Sequence, residues 1–205
     1  MPELTAVYAE VYDVPPYVGD PFFSVEAFEQ RLTAAFDMKG FEVVTARLAT
    51  GTLVGYVHGV TLIRDRASWT SVEDLLPDDA KRAADSGDIF WLRELMVLPE
   101  HGNQGIGRAL HDEMVKGRSE SWTTLTCIID NEPARSAYPR WGYEVVARQI
   151  KHAEESPVYD PMLLGPQSDR WLISSRLRSR RWSIGNSWTS RRWCDRGWAP
   201  GCRPR

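Results

Sequence analysis

Apolar residues return at helical spacing twice near the start of the chain. Leu4, Val7, Tyr8 and Val11 share one face of a first helix, which is expected to stop before the breaker Val14-Pro15-Pro16-Tyr17. Val25, Phe28, Leu32, Ala35 and Phe36 define a second, with Ser24 placed to cap it and Lys39-Gly40 suited to its exit. The period then changes. Phe41 to Leu48 and Leu53 to Ile63 read as two strands joined by Ala49-Thr50-Gly51-Thr52, an antiparallel hairpin.

Residues 64–88 are polar, with a short helical stretch expected around Asp78 to Ala84. Ile89 to Leu98 is a strand stopped by Pro99. Gly105 to Lys116 is a helix with Ile106, Leu110 and Met114 on one face. A strand from Trp122 to Ile129, a helix from Asn131 to Trp141, and strands from Tyr143 to Ile150 and Val158 to Leu164 complete the pattern. Strand–helix–strand–helix–strand after a helical pair and a hairpin predicts an α/β domain with a mixed sheet and central parallel pairing.

Composition changes this picture in one place. The chain has 205 residues with 42% hydrophobic and 26% charged, which suits a soluble globular domain. The net charge of -3, however, joins unlike parts. Residues 1–165 carry 15 Lys+Arg against 26 Asp+Glu, and residues 166–205 carry 10 Arg against 2 Asp. That tail also holds five of the nine tryptophans (Trp171, Trp182, Trp188, Trp193, Trp198), and no helix or strand period organises it. It is expected to be an irregular appendage, disordered or non-native, and dispensable for a domain spanning 1–165. Arg with interleaved aromatics is also the composition of a nucleic-acid contact, which salt-sensitive binding would reveal, but nucleic acid is not the expected partner.

Three scattered cysteines make neither a disulfide framework nor a metal motif, and no metal is expected. No basic region leads into an apolar N-terminal stretch, and no window approaches ~18 apolar residues. A cytoplasmic protein without membrane contact is the expectation.

The informative segment is Leu95-Met96-Val97-Leu98-Pro99-Glu100-His101-Gly102-Asn103-Gln104-Gly105-Ile106-Gly107-Arg108. An apolar strand enters a glycine-rich turn that opens an amphipathic helix. The first N–H groups of a helix lack internal partners, and the dipole adds positive charge there. Glycines let a phosphate approach that backbone. The alternative is a turn that merely tightens a strand–helix joint. A Walker loop is excluded because Arg108 follows Gly107, and the dinucleotide fingerprint because Leu110 stands where its third glycine belongs.

Gly102-Asn103-Gln104-Gly105-Ile106-Gly107, preceded by Glu94-Leu95-Met96-Val97, resembles the acetyl-CoA motif Q/R-x-x-G-x-G/A of GNAT acetyltransferases. Asn131, Ala134, Tyr138, Gly142 and Tyr143 resemble that family's downstream pattern N-x-x-A-x-x-x-Y-x-x-x-G-F/Y. The resemblance covers roughly residues 1–165. It implies the GNAT acyl-CoA N-acyltransferase fold and acetyl-CoA as co-substrate. It also implies a pyrophosphate held by the backbone of Gln104 to Arg108 within a cofactor segment Gly102–Arg108, pantetheine along Leu95, Met96 and Val97, and a cofactor contact at Asn131. Three departures stand out. Gly102 occupies the Gln/Arg position, Pro139 follows Tyr138 inside a helix, and the family's usual first strand is missing.

The chemistry needs a base for the incoming ammonium and an acid for the departing thiolate. Tyr138 is the candidate acid, matching the family's tyrosine; packing with Ala134 and Trp141 is its alternative role. Glu94, a carboxylate on an apolar strand, is the candidate base, with a salt bridge to Arg93 or another arginine as the alternative. His101 and His111 are expected at the surface and Cys127 in the core. The acidic stretch holding Glu73, Asp74, Asp78, Asp79, Asp85 and Asp88 reads as a solvated loop, with attraction of a cationic substrate the sharper alternative. The expected reaction is acetylation of a small-molecule amine. A protein N-terminus or lysine, or a non-catalytic acyl-CoA-binding module, are the alternatives. A second copy of the chain remains open as a partner.

Overall fold

The structure, a computed structural model, describes residues 2–15, 17–64, 67–151, 154, 156–166, 189–194 and 197–198. Helices α1 (Pro2–Tyr12) and α2 (Val25–Phe36) form where the apolar period placed them. Ser24 Oγ accepts the Ala27 N–H at 3.2 Å, the expected cap. Between the helices Asp20 caps a single 3-10 turn, Pro21–Phe23. The helices meet through Tyr8 and Phe28, whose rings stack with centroids 3.9 Å apart.

Strands β1 (Glu42–Arg47) and β2 (Leu53–Thr61) make the expected hairpin, closed where Leu48 N–H donates to Thr52 O. Next come α3 (Ala67–Thr70), a 3-10 turn Glu73–Leu75, and α4 (Asp78–Ser86). The central unit follows: β3 (Ile89–Val97), a 3-10 turn Pro99–His101, α5 (Ile106–Lys116), β4 (Trp122–Ile128) and α6 (Glu132–Arg140). Strands β5 (Glu144–Val145), β6 (Ile150–Lys151) and β7 (Val158–Leu164) close the domain. Within the tail lie β8 (Thr189–Cys194) and β9 (Gly197–Trp198). The sheet order is β5-β7-β4-β3-β2-β1-β8-β9, with β6 also on β7. Among the described residues only β3 and β4 pair in parallel, so the sheet is mixed as expected.

Strand alternation divides the core into layers. On one face Val43, Tyr56, Val60 and Met96 meet Leu4, Val7, Tyr8, Phe28 and Leu32 of α1 and α2. On the other, Val44, Val57, Phe90 and Leu92 meet Ile106, Leu110 and Met114 of α5. A third cluster packs Trp69, Val72, Leu76 and Ala80 over Ile89 and Leu163. The expected strand 143–150 is instead two short pieces. Gln149 adopts a left-handed φ of 57°, and its N–H donates to the buried Asp160 carboxylate at 3.0 Å rather than to a strand. Pro139 does not interrupt α6, which runs on to Arg140; so near the C-terminal end, proline removes one helix hydrogen bond and no more.

Most of the tail, residues 167–188, 195–196 and 199–205, lies outside the described residues. The part that is described pairs. Thr189–Cys194 runs antiparallel to β1 from Arg47↔Thr189 to Val43↔Trp193. Pairing of this kind rests on backbone N–H and C=O groups along an open edge, and needs no alternation in the added segment. It takes the outer side of β1, where the sequence lacked a preceding strand.

Candidate active site

The site begins where the sheet opens. β3 and β4 pair only from Ile89↔Trp122 to Trp91↔Thr124. Beyond that point β4 stays with β7 as far as Ile128↔Tyr159, while β3 stays with β2 as far as Gly55↔Val97. The two strands part. The β4-facing edge of β3 from Leu92 to Val97 therefore has no strand partner among the described residues. Leu95, Met96 and Val97 sit on this edge, with Met96 buried and the other two packed against the α5 side of the core.

The glycine turn leads from that edge into α5. Gly105 is the N-cap at φ 81°, a left-handed conformation that favours glycine, and a Cβ there would meet nothing within 4 Å. Its space is open. Asn103 is also left-handed, at φ 57°. Among the described residues, none of the N–H groups of 103–108 donates to a backbone oxygen, whereas Gly102 N–H is spent on Pro99 O at 3.0 Å. The loop's unpaired donors thus start one residue later than the motif's first position. Gln104 sends its side-chain amide to Glu100 O, Ile106 is buried in the core, and Gly107 lies over Leu95 and Val97. Arg108 pairs with Asp112 at 2.7 Å and covers the Trp141 ring at 5.4 Å. Asn131 accepts the Ala134 N–H at 3.1 Å as the N-cap of α6.

A β-bulge brings the candidate base into play. Gly59 is opposite Leu92 and His58 is opposite Glu94, so Arg93 is an extra residue on β3. The extra residue shifts the phase of the strand. Phe90 and Leu92 face α5, Leu95 and Val97 do so again, and between them Arg93 and Glu94 both line one cavity on the α1–α2 side. That cavity, about 250 Å³, is walled by Tyr8, Tyr12, Phe22, Phe23, Trp91 and Tyr159, with Arg31, Thr126, Ile128 and Ser156. Burial pushes the Glu94 carboxyl up from 4.5 to about 7; Arg31, Arg93 and a hydrogen bond from Tyr12 pull it down without cancelling that cost. Arg31 is fixed by donating to Phe22 O at 2.8 Å and Tyr8 Oη at 3.1 Å.

Tyr138 is buried at 8% exposure, edge-on to Trp141 and Tyr143. Burial first, then the Cys127 and Glu94 sites, holds its phenol well above 10, so it keeps its proton at neutral pH. Cys127 is buried beside it, its thiol pushed up to about 12 mainly by burial. His111 is not at the surface as expected. It is 2% exposed, with Nε2 3.1 Å from Tyr143 Oη and the ring 4.8 Å from Trp141. Its partners come from thirty residues downstream, beyond the reach of local pattern.

Sequence reasoning missed Arg31, Tyr12 and the cavity itself; of its aromatic walls only Tyr8 was placed on a helical face, while Trp91 and Tyr159 fell within expected strands. The one signal was Arg93-Glu94, two adjacent charges in an otherwise apolar strand. The acidic stretch is engaged elsewhere: Arg64 pairs with Glu73 and Asp85, and Asp88 accepts the Ser121 N–H. Among the described residues no group of three or more His, Cys, Asp or Glu is arranged to hold a metal ion, and no helix is long and apolar enough to cross a membrane.

Comparison with known proteins agrees with this fold. The acetyltransferase (GNAT) domain family matches residues 40–145. No protein of curated function matches the chain. Among solved structures, the PaiA N-acetyltransferase of Thermoplasma acidophilum in complex with coenzyme A is 15% identical, with a TM-score of 0.52 over 80% of this chain and 91% of that one. The Corynebacterium glutamicum protein called histone acetyltransferase HPA2 and related acetyltransferase is 15% identical, with a TM-score of 0.56 over 82% and 92%. A spermidine N-acetyltransferase chimera from Vibrio cholerae and hSSAT is 12% identical, with a TM-score of 0.52 over 80% and 90%. At these identities the likeness is one of fold.

Proposed function

The chain belongs to the GNAT acetyltransferase family, and from that premise we propose that it transfers an acetyl group from acetyl-CoA to the primary amine of a small molecule, with Glu94 as base and Tyr138 as acid. The observation that carries the reading is the open β3 edge running between the unpaired N–H groups of 103–108 and the cavity at Glu94. The open space at Gly105 and those donors fit a pyrophosphate at the N-terminus of α5. The β4-facing edge at Leu95, Met96 and Val97, without a strand partner among the described residues, fits an extended amide-bearing arm added as a strand. When bound there, acetyl-CoA supplies the acetyl group as a thioester.

Each residue then has a defined task. Glu94, raised to about 7, accepts a proton from the incoming ammonium near neutral pH, directly or through water. The freed amine forms its bond to the acetyl carbon, and a β3 backbone N–H steadies the charge developing on the carbonyl oxygen. As the carbon–sulfur bond breaks, Tyr138 gives its proton to the sulfur, the nitrogen sheds its second proton to solvent to leave the neutral amide, and Tyr138 regains a proton from solvent. The small cavity and its aromatic walls support a small molecule over a protein chain as acceptor. The test is thiol release from acetyl-CoA with a panel of small amines and with peptides bearing a free N-terminus or lysine. Amine-dependent release with small molecules is expected. Acetyl-CoA binding without release for any acceptor would leave only a binding module.

A further inference from the structure

We propose that His111 is a positioning residue for the acid: through Tyr143 it holds Tyr138 where the departing sulfur takes its proton. The inference rests on the proposed role of Tyr138 and deepens it. A histidine buried on the flank of α5, 2% exposed, is costly unless both ring nitrogens are satisfied, and here both are. Nδ1 lies 3.2 Å from Asp112 Oδ1, and Nε2 lies 3.1 Å from Tyr143 Oη. Burial raises the Asp112 carboxyl, but hydrogen bonds from His111 and Arg108 more than offset that, so it is ionised at neutral pH. An ionised carboxylate only accepts, so Nδ1 carries the imidazole proton and Nε2 accepts the hydrogen of the Tyr143 hydroxyl. Burial also holds His111 below 6.5, hence neutral, and keeps the Tyr143 phenol protonated. The pair has one direction and one geometry.

Tyr138 needs such a hold from outside its own helix. Pro139 follows it directly and has no N–H, so the last turn of α6 is one helix bond short just where the acid sits. Tyr143 N–H donates to Tyr138 O at 3.1 Å, and Trp141 N–H donates to the same oxygen at 2.9 Å. The Tyr138 ring then stands edge-on to both side chains, its centroid 5.5 Å from that of Tyr143 and 5.3 Å from that of Trp141. Both walls of this notch are fixed by α5. Tyr143 is bonded to His111, and Trp141 is packed on the His111 ring at 4.8 Å and covered by the Arg108 guanidinium at 5.4 Å.

Packing alone does not call for these groups. The neighbouring α5 positions Leu110 and Met114 fill the core with apolar side chains, whereas a directed polar chain from Asp112 through His111 to Tyr143 runs beside them. The outer end of that chain is Arg108, 2.7 Å from Asp112 and the last residue of the proposed pyrophosphate loop. The seat for the phosphates and the acid for the sulfur thus belong to one connected frame, which sets their separation to match a single cofactor.

Steady-state kinetics, under conditions where chemistry limits turnover, test the inference with Tyr143→Phe and His111→Phe, each alone and combined with Tyr138→Phe. Tyr143→Phe removes one hydroxyl and keeps the ring. It is expected to lower kcat on the order of 10-fold with the KM for acetyl-CoA unchanged, and His111→Phe should match it. In the Tyr138→Phe background neither change should lower kcat further, because no acid is left to place. A parental kcat in Tyr143→Phe would overturn the inference. So would an undiminished fall in the Tyr138→Phe background, which marks a purely structural role. Tyr143→Phe decides the matter even if His111→Phe fails to fold. A loss of rate on Tyr138→Phe with none on Tyr143→Phe would sink this inference alone, whereas an unaltered rate on Tyr138→Phe would strike the acid itself and this inference with it.

Discussion

Arg93 and Glu94 are consecutive residues of one β-strand, yet both line the same cavity. A regular strand would send them to opposite faces, and only the extra residue opposite the His58–Gly59 step allows the arrangement. The consequence is a carboxyl group placed where burial outweighs two nearby guanidiniums, leaving it near the pH at which a base can both lose and accept a proton.

The pH dependence of that carboxyl makes the first prediction. Acetyl transfer should rise with pH through a midpoint near 7, as Glu94 ionises, and Glu94→Gln should lower kcat/KM ~10²-fold or more and flatten the profile. Stability should move the other way. The folded carboxyl binds its proton more tightly than the unfolded one, so between 4.5 and about 7 the native state holds more protons and stability falls as pH rises. Glu94→Gln should therefore be more stable than the parent at pH 8, by about 1–2 kcal/mol, and gain little at pH 4. Thermal melts at the two pH values check this; equal shifts would show that Glu94 is not the strained group.

His58 predicts the opposite slope. Its ring is fully enclosed, neither nitrogen has a hydrogen-bond partner among the described residues, and burial, then Arg93 and Arg31, lowers its pKa from 6.5 to about 3. The unfolded state takes up the proton first as pH falls, so stability should be lost between 6.5 and about 3. His58→Leu should remove that part of the acid sensitivity. A variant whose urea midpoint falls with acid as steeply as the parent's would refute it.

The two loop glycines predict different outcomes. Gly105 sits at φ 81° with open space around it, so Gly105→Ala should cost about 1–2 kcal/mol of stability through backbone strain alone. Gly107 has no such strain, and its added Cβ would meet Leu95 and Val97 at ordinary contact distances of 3.6 and 3.8 Å. Gly107→Ala should fold normally. Putting glutamate at both positions should abolish acetyl-CoA binding in calorimetry; unchanged affinity in a folded double variant would exclude this loop as the phosphate seat.

Tyr138→Phe keeps the ring packed on Trp141 and Tyr143 but removes the proton. Turnover should fall ~10²-fold with acetyl-CoA affinity retained. No alkaline limb from Tyr138 is expected below pH 10, because burial holds its phenol well above that value. An unaltered rate under conditions where chemistry limits turnover would make Tyr138 a packing residue.

Elements built on local period were legible in the sequence. Ser24 caps α2 and the hairpin turns at Thr50-Gly51, both from signals within a few residues, whereas the capping of α6 by Asn131 was not read there. What was not legible depends on partners far away in the chain. The bulge is a matter of register between β2 and β3, and the burial of His111 depends on Trp141 and Tyr143. The break at Gln149 needs the carboxylate of Asp160. The cavity combines α1, the 3-10 turn, α2, β3, β4 and β7, whose aromatic residues look like core until the sheet opens between β3 and β4.

The tail separates catalysis from assembly. Thr189–Cys194 pairs with β1, on the side of β1 away from β2, whereas the open edge and the Glu94 cavity belong to β3 on the far side of β2. Deleting residues 167–205 should accordingly leave acetyl-CoA affinity within about twofold, since β8, the described part of the tail that joins the sheet, pairs with β1 and not with β3. It should change how the domain behaves at high concentration. Without β8, β1 presents its unpaired N–H and C=O groups from Val43 to Arg47 to solvent, and an exposed flat edge is a template for another strand. The truncated protein is expected to self-associate in sedimentation experiments, and a lysine placed at Thr45 on that edge strand would not be a clean remedy because Thr45 is fully buried. A proline at Ala46 would block the edge but is likewise confined by the core. The decisive measurement is therefore rescue in trans by a peptide of residues 186–199. Restored monomer on adding the peptide supports pairing at β1; a truncated chain that stays monomeric without it would show that β8 protects nothing.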